Sequence, residues 1–126
     1  MNPNTTTPQS LLPLTPAVFH ILLALADEER HGYGIMQEVA RNTQGTLNMG
    51  PGTLYGSIKR MLTAGLIAES DERPDSTLDD KRRRYYHLTS FGRSVASAEA
   101  ERLANLVHQA TTKKLLTHNP MLTAMS

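Results

Sequence analysis

The chain contains no cysteine and no tryptophan in 126 residues, and only two phenylalanines and four tyrosines. Without cysteine, disulfides, thiolate metal sites and a thiol nucleophile are all excluded. So few aromatic rings give little support to stacking of a flat ligand. No apolar run approaches the roughly 18 residues of a membrane span, so no membrane partner is expected. The N-terminus lacks a basic segment followed by an apolar one, which leaves a cytoplasmic protein as the expectation. A large charge of either sign is also missing: the net charge is +1. Any case for nucleic-acid binding must therefore rest on where the cations sit. With 39% hydrophobic and 20% charged residues, the composition is that of one ordinary globular domain.

Catalytic patterns are absent too. The glycines at Gly50, Gly52 and Gly56 resemble a dinucleotide fingerprint, but three residues separate the last two and no βαβ pattern surrounds them. Neither a Gly-Lys-Ser/Thr phosphate loop nor a Gly-x-Ser-x-Gly elbow occurs. His20, His31, His87, His108 and His118 are scattered, with no pair at helical ligand spacing. The acids between Asp71 and Asp80 lack the alternation, glycine and closing glutamate of a calcium loop. They also lie in a polar stretch, where burial cannot tune a carboxylate for acid–base work. The methionines read as core filler. No enzyme, cofactor or metal site is expected.

What is present is organised around Thr46–Leu66. A short extended link and a Gly-Pro-Gly turn lead into one amphipathic helix. Pro51 suits its opening, where a missing N–H costs nothing, and Gly65 suits its C-terminal cap. Leu54, Ile58, Met61 and Leu62 share one face at 100° per residue. The opposite face carries Gly52, Thr53, Gly56, Lys59, Arg60 and Thr63: two cations, two hydroxyls and no acid. A solvated helix face would look the same, so the flanking segments decide.

Residues 1–13 are rich in Asn, Thr and Pro and read as a flexible arm. Thr15-Pro16 caps and opens a helix whose residues Ala17–Ala26 are apolar nearly all round. Such a helix is buried on two sides, and in so small a chain the second side points to another subunit. Asp27, Glu28 and Glu29 oppose the helix dipole and end it. His31–Gly34 turns into a second helix running to about Asn42, with Ile35, Met36, Val39 and Ala40 inward. Two helices joined this way have the plan of a helix-turn-helix. Leu66–Glu72 and Arg83–Leu88 read as strands around a polar loop at 73–80, which makes a hairpin wing. Alternation leaves open which of Tyr85 and Tyr86 faces inward.

Thr89 or Ser90 caps a final helix to about Leu116, roughly 40 Å long at 1.5 Å per residue. That is too long to pack only on this domain. Ala96, Ala100, Leu103, Val107 and Ala110 recur at spacings of four and three, a helix-pairing seam that Leu106 widens. The fold class expected is mainly α with a small β-hairpin: a winged helix-turn-helix over 14–89, a dimerisation helix over 90–116 and a tail over 117–126. Lys81-Arg82-Arg83-Arg84 falls on the tip and rising strand of the wing. A basic wing beside a basic helix suits phosphates and the major groove together.

Three stretches carry a resemblance. Gly52–Ile67 (GTLYGSIKRMLTAGLI), Arg82–Gly92 (RRRYYHLTSFG) and His31–Val39 (HGYGIMQEV) resemble, in order and spacing, the signatures of PadR-type transcriptional regulators. The resemblance covers about Leu14 to Leu116. Gly56 departs from it, since such regulators often carry proline there, and glycine loosens the helix start by up to about 1 kcal/mol. The resemblance implies a winged-helix homodimer, joined through its first and last helices, that represses transcription at operator DNA. Some members respond to phenolic acids or hydrophobic drugs near the dimer interface, so an effector site there is a further expectation.

The DNA-binding residues expected are Thr53, Tyr55, Ser57, Lys59 and Arg60 in the helix and Lys81, Arg82, Arg83 and Arg84 in the wing. Lys59 and Thr53 are expected to reach base edges, and the wing cations to neutralise phosphates. The dimer interface expected comprises Val18, Leu22, Ala96, Ala100, Leu103, Leu106, Val107 and Ala110. The partners are double-stranded DNA, on a palindromic operator, and a second copy of the chain. The rival reading is a protein-interaction adaptor, whose apolar interface would be far less sensitive to salt.

Overall fold

The computed structural model describes residues 6–70 and 84–116. The start of the arm, the loop at 73–80, the wing tip at Lys81–Arg83 and the tail from residue 117 lie outside the described residues. A 3-10 turn at Pro8–Leu11 precedes four α-helices: α1 (Pro16–Leu25), α2 (Gly32–Asn42), α3 (Pro51–Thr63) and α4 (Ser90–Thr112). Three short strands, β1 (Arg30–His31), β2 (Ile67–Glu69) and β3 (Tyr85–Leu88), form an antiparallel sheet in the order β1-β3-β2. This is the winged helix-turn-helix that the spacing anticipates, with one strand more.

The core forms around α1, which packs on α2, α3, α4 and β3. Thr15 caps it: its Oγ1 accepts from the Val18 amide at 3.3 Å, and Pro16 opens the helix. Ile21, Leu22, Ala24 and Leu25 are buried, and Leu23 is exposed. The helix stops at Leu25, as the three acids that follow suggest. Arg30 then completes the end. Its Nε donates to the Ala24 carbonyl at 2.7 Å, and its guanidinium pairs with Glu28 at 3.1 Å and Glu38 at 3.6 Å. A carbonyl left open at the helix end thus receives a charged donor.

β1 was not foreseen. Residues 30 and 31 pair with β3 in the register Arg30↔Tyr86 and His31↔Tyr85. His31 also caps α2, its Nδ1 accepting from the Gly34 amide at 2.9 Å. The wing register is Ile67↔Leu88, Ala68↔His87 and Glu69↔Tyr86. It points Tyr86 into the core and leaves Tyr85 half-buried, its ring edge-on to His31 at 5.3 Å. Burial pushes the Tyr86 phenol up, and the nearby Glu69 adds to this.

Thr89 joins wing to final helix. Its Oγ1 caps α4 by accepting from the Gly92 amide at 2.9 Å, and its amide donates to the Leu66 carbonyl at 3.1 Å. Gly92 lies so close to Leu66 that a Cβ there would stand 1.9 Å from its carbonyl oxygen. Only glycine allows that approach. Gly65, at φ +78°, turns the chain from α3 directly into β2, as its position after the apolar stripe suggests.

The arm is not loose throughout. Pro8–Leu11 packs on α4, and Leu11, Leu12 and Leu14 lie against the core. The Leu14 amide donates to Glu99 Oε2 at 2.9 Å. Three leucines in one short stretch supply the apolar area that the Asn- and Thr-rich composition hides.

Candidate nucleic-acid interface

α3 presents the face that the periodicity assigns to it. Leu54, Ile58 and Met61 are buried, and Leu62 is half-buried. Pro51 stands at the first turn, after Gly50 as N-cap. Gly52, Thr53, Lys59, Arg60 and Thr63 are exposed, and Gly56 is half-buried among them. The face carries two cations and no acid, over a backbone with little side-chain cover.

Ser57 stands off this face, and Tyr55 lies only partly on it. Ser57 is fully buried, so its hydroxyl does not belong to the outer face. It accepts instead from Arg60 Nη2 at 3.3 Å. The reason is geometric: position 57 lies three residues after Leu54 and four before Met61, inside the buried stripe. Tyr55 is 41% exposed, but its ring lies across Gly32, where a Cβ would stand 2.4 Å from the Tyr55 hydroxyl. Tyr55 therefore braces the start of α2 while remaining partly exposed.

In the wing, Arg84 is exposed and its Nη1 pairs with Glu69 Oε1 at 3.2 Å. The base of the wing is tied by Ser70, whose Oγ donates to Glu29 Oε2 at 2.6 Å and lies 2.9 Å from His87 Nδ1. Tyr33, 61% exposed on the first turn of α2, adjoins the Gly32 that Tyr55 covers. Reading His31–Gly34 only as a turn passed over this second exposed ring. An aromatic between two glycines, at the foot of a helix, was its available signal.

A second surface runs along α4. Gly92, Val95 and Glu99 are buried against the domain, while Leu106 and Val107 are 47% and 41% exposed. Ala100 is exposed, and Ala96, Leu103 and Ala110 are half-buried, as is Val18 of α1. Leu22, expected at an interface, is fully buried inside the protomer. An all-apolar helix does not say which of its sides meets its own domain. Glu99 was not anticipated. Its carboxylate accepts from Arg102 Nε at 2.5 Å and from the Leu14 amide, and the Arg102 contact holds it below the usual carboxylate range.

Residues 21–98 match the model of the transcriptional regulator PadR-like family. The chain belongs to the PadR-like family. A transcriptional regulator of Mycobacterium tuberculosis is 33% identical over 90 residues, which cover 71% of this chain and 78% of that protein. The solved structure of a PadR family transcription regulator from Clostridium difficile aligns with a TM-score of 0.64 at 22% identity, over 81% of this chain and 100% of that one. A PadR-like transcription factor from Bacteroides fragilis gives 0.61 at 23% identity, over 75% and 86%. At such identities the solved structures establish the fold, and the family match establishes a DNA-binding transcriptional regulator rather than an enzyme. Within this PadR-like chain, α3 is the second helix of the helix-turn-helix, and β2 and β3 form the wing. Among the described residues no helix is long and apolar enough to cross a membrane, and no cluster of metal-ligating side chains occurs.

Proposed function

We propose that the protein is a homodimeric repressor in which each protomer lays α3 in the major groove of one half of a palindromic operator. The outer face of α3 carries this reading: Thr53, Lys59 and Arg60 stand exposed on it without an acid. Lys59 and Thr53 reach base edges, while Arg84 and its neighbours Lys81–Arg83 neutralise flanking phosphates. Dimerisation runs through α1 and α4, whose Leu23, Leu106 and Val107 are left partly exposed in the protomer. A small-molecule effector, where one is sensed, would enter between these helices.

Selection from random duplex DNA tests the reading and should return a palindrome. Lys59→Ala should then cost about 1–3 kcal/mol on the selected duplex and much less on a random one. Equal losses on both would make Lys59 a phosphate contact. Recovery of no preferred sequence, together with salt-insensitive binding to a protein, would replace the repressor by the adaptor.

A further inference from the structure

Arg60 is held in a particular way. Its Nη2 donates to the hydroxyl of the fully buried Ser57 at 3.3 Å. Its Nη1 lies over Gly56, 3.7 Å from where a Cβ would stand. The side chain thus folds back along α3 toward its N-terminus, by about one turn or 5.4 Å. In a helix-turn-helix, the N-terminal residues of the second helix are those that meet base edges. The guanidinium has therefore been carried from the level of residue 60 to that of residues 56 and 57, toward the end of α3 that meets bases in such motifs. It is still exposed.

We propose that Arg60 reads a guanine in the major groove, and that Ser57 is a positioning residue that pre-sets its guanidinium for the task. This deepens the operator-binding reading and rests on it. The chemistry fits. Guanine offers two acceptors, O6 and N7, matched by paired guanidinium donors. With one Nη2 hydrogen engaged by Ser57, a second Nη2 hydrogen and those of Nη1 remain. The anchor acts from beneath, because Ser57 belongs to the buried stripe and has no access to DNA itself. An arginine already fixed loses less rotamer freedom on binding than one waving in solvent.

The experiment is a double-mutant cycle on the full chain, with titrations on the duplex recovered by selection and on a random duplex. The quantity read is the ratio of the two affinities. A merely structural loss lowers the active fraction on both duplexes alike and leaves that ratio unmoved. Arg60→Ala should reduce the ratio about tenfold or more, and Arg60→Lys should not restore it, since an ammonium cannot form the paired contact. Ser57→Ala should reduce it about two- to tenfold, with no added effect once Arg60 is alanine. Equal losses on both duplexes for Arg60→Ala would show a phosphate contact and overturn the assignment, as would full rescue by lysine. Ser57→Ala effects that multiply with those of Arg60→Ala would overturn the positioning role. Because Arg60 is exposed, its variants fold even if Ser57→Ala does not. A wild type with no preferred duplex would sink the operator reading itself. A preferred duplex with an unchanged ratio in Arg60→Ala would sink only this proposal.

Discussion

The two halves of α4 obey different rules. From Ser90 to Arg102 the helix is explained by its own protomer: Gly92 meets the Leu66 carbonyl, Val95 fills the core, and Glu99 anchors the Leu14 amide. From Leu103 to Thr112 the protomer explains little, because Leu106 and Val107 stand half in water. One continuous helix thus carries one half fitted to its own domain and one half whose apolar side chains the protomer leaves partly exposed. Apolar periodicity alone does not separate the two, since a stripe looks the same whichever partner it meets.

Mutation sharpens that contrast. The largest effect expected is from Leu103→Asp with Val107→Asp, which places charges in the proposed dimer seam. An uncompensated buried charge costs about 3–5 kcal/mol, so sedimentation at micromolar concentration should show monomer or unfolded chain. A wild type that sediments as a monomer would show that no such seam exists. Gly92→Ala attacks the other half. With the new methyl pressed on the Leu66 carbonyl, the loss should reach about 3 kcal/mol or more, measured by urea unfolding.

Glu99→Gln comes next, at about 1–3 kcal/mol, the cost of weakening a charge-assisted buried contact. Its sign with pH is fixed. The Glu99 carboxyl lies below its usual range when folded, so it stabilises above the ordinary glutamate pKa. That contribution is lost as pH falls through the depressed folded value. Denaturation curves in acid should therefore be shallower in pH dependence for Glu99→Gln than for the wild type. The smallest effect is a gain. Gly56→Ala should stabilise α3 by about 1 kcal/mol, since alanine is the better helix former and its Cβ meets Arg60 at ordinary contact distance.

Local chemistry was legible in the sequence wherever it depends on neighbours along the chain. Thr15 before Pro16, Pro51 after Gly50, Gly65 after the apolar stripe and Thr89 before the last helix all act as their types suggest. The outer face of α3 was legible for the same reason, because 100° per residue fixes which side chains share a side. Ser57 was misplaced by its polar character. Its position lay inside the stripe, and position outweighs residue type when a helix is flanked by Leu54, Ile58 and Met61.

What only the tertiary structure decided are the contacts that join distant parts of the chain. β1 is two residues long, too short for any alternation, and exists because β3 lies beside it. Glu99 and Leu14 are 85 residues apart, and no pattern along the chain foretells their hydrogen bond. Leu22 turned inward because α1 has no polar side to choose for it, so the packing of α2, α3 and α4 made the choice. The sequence by itself determined the helices, their caps and the basic face, since each depends on spacing of a few residues. Which apolar side met the core, and where the Arg60 guanidinium came to lie, waited on the assembled fold, because burial is a property of the whole arrangement.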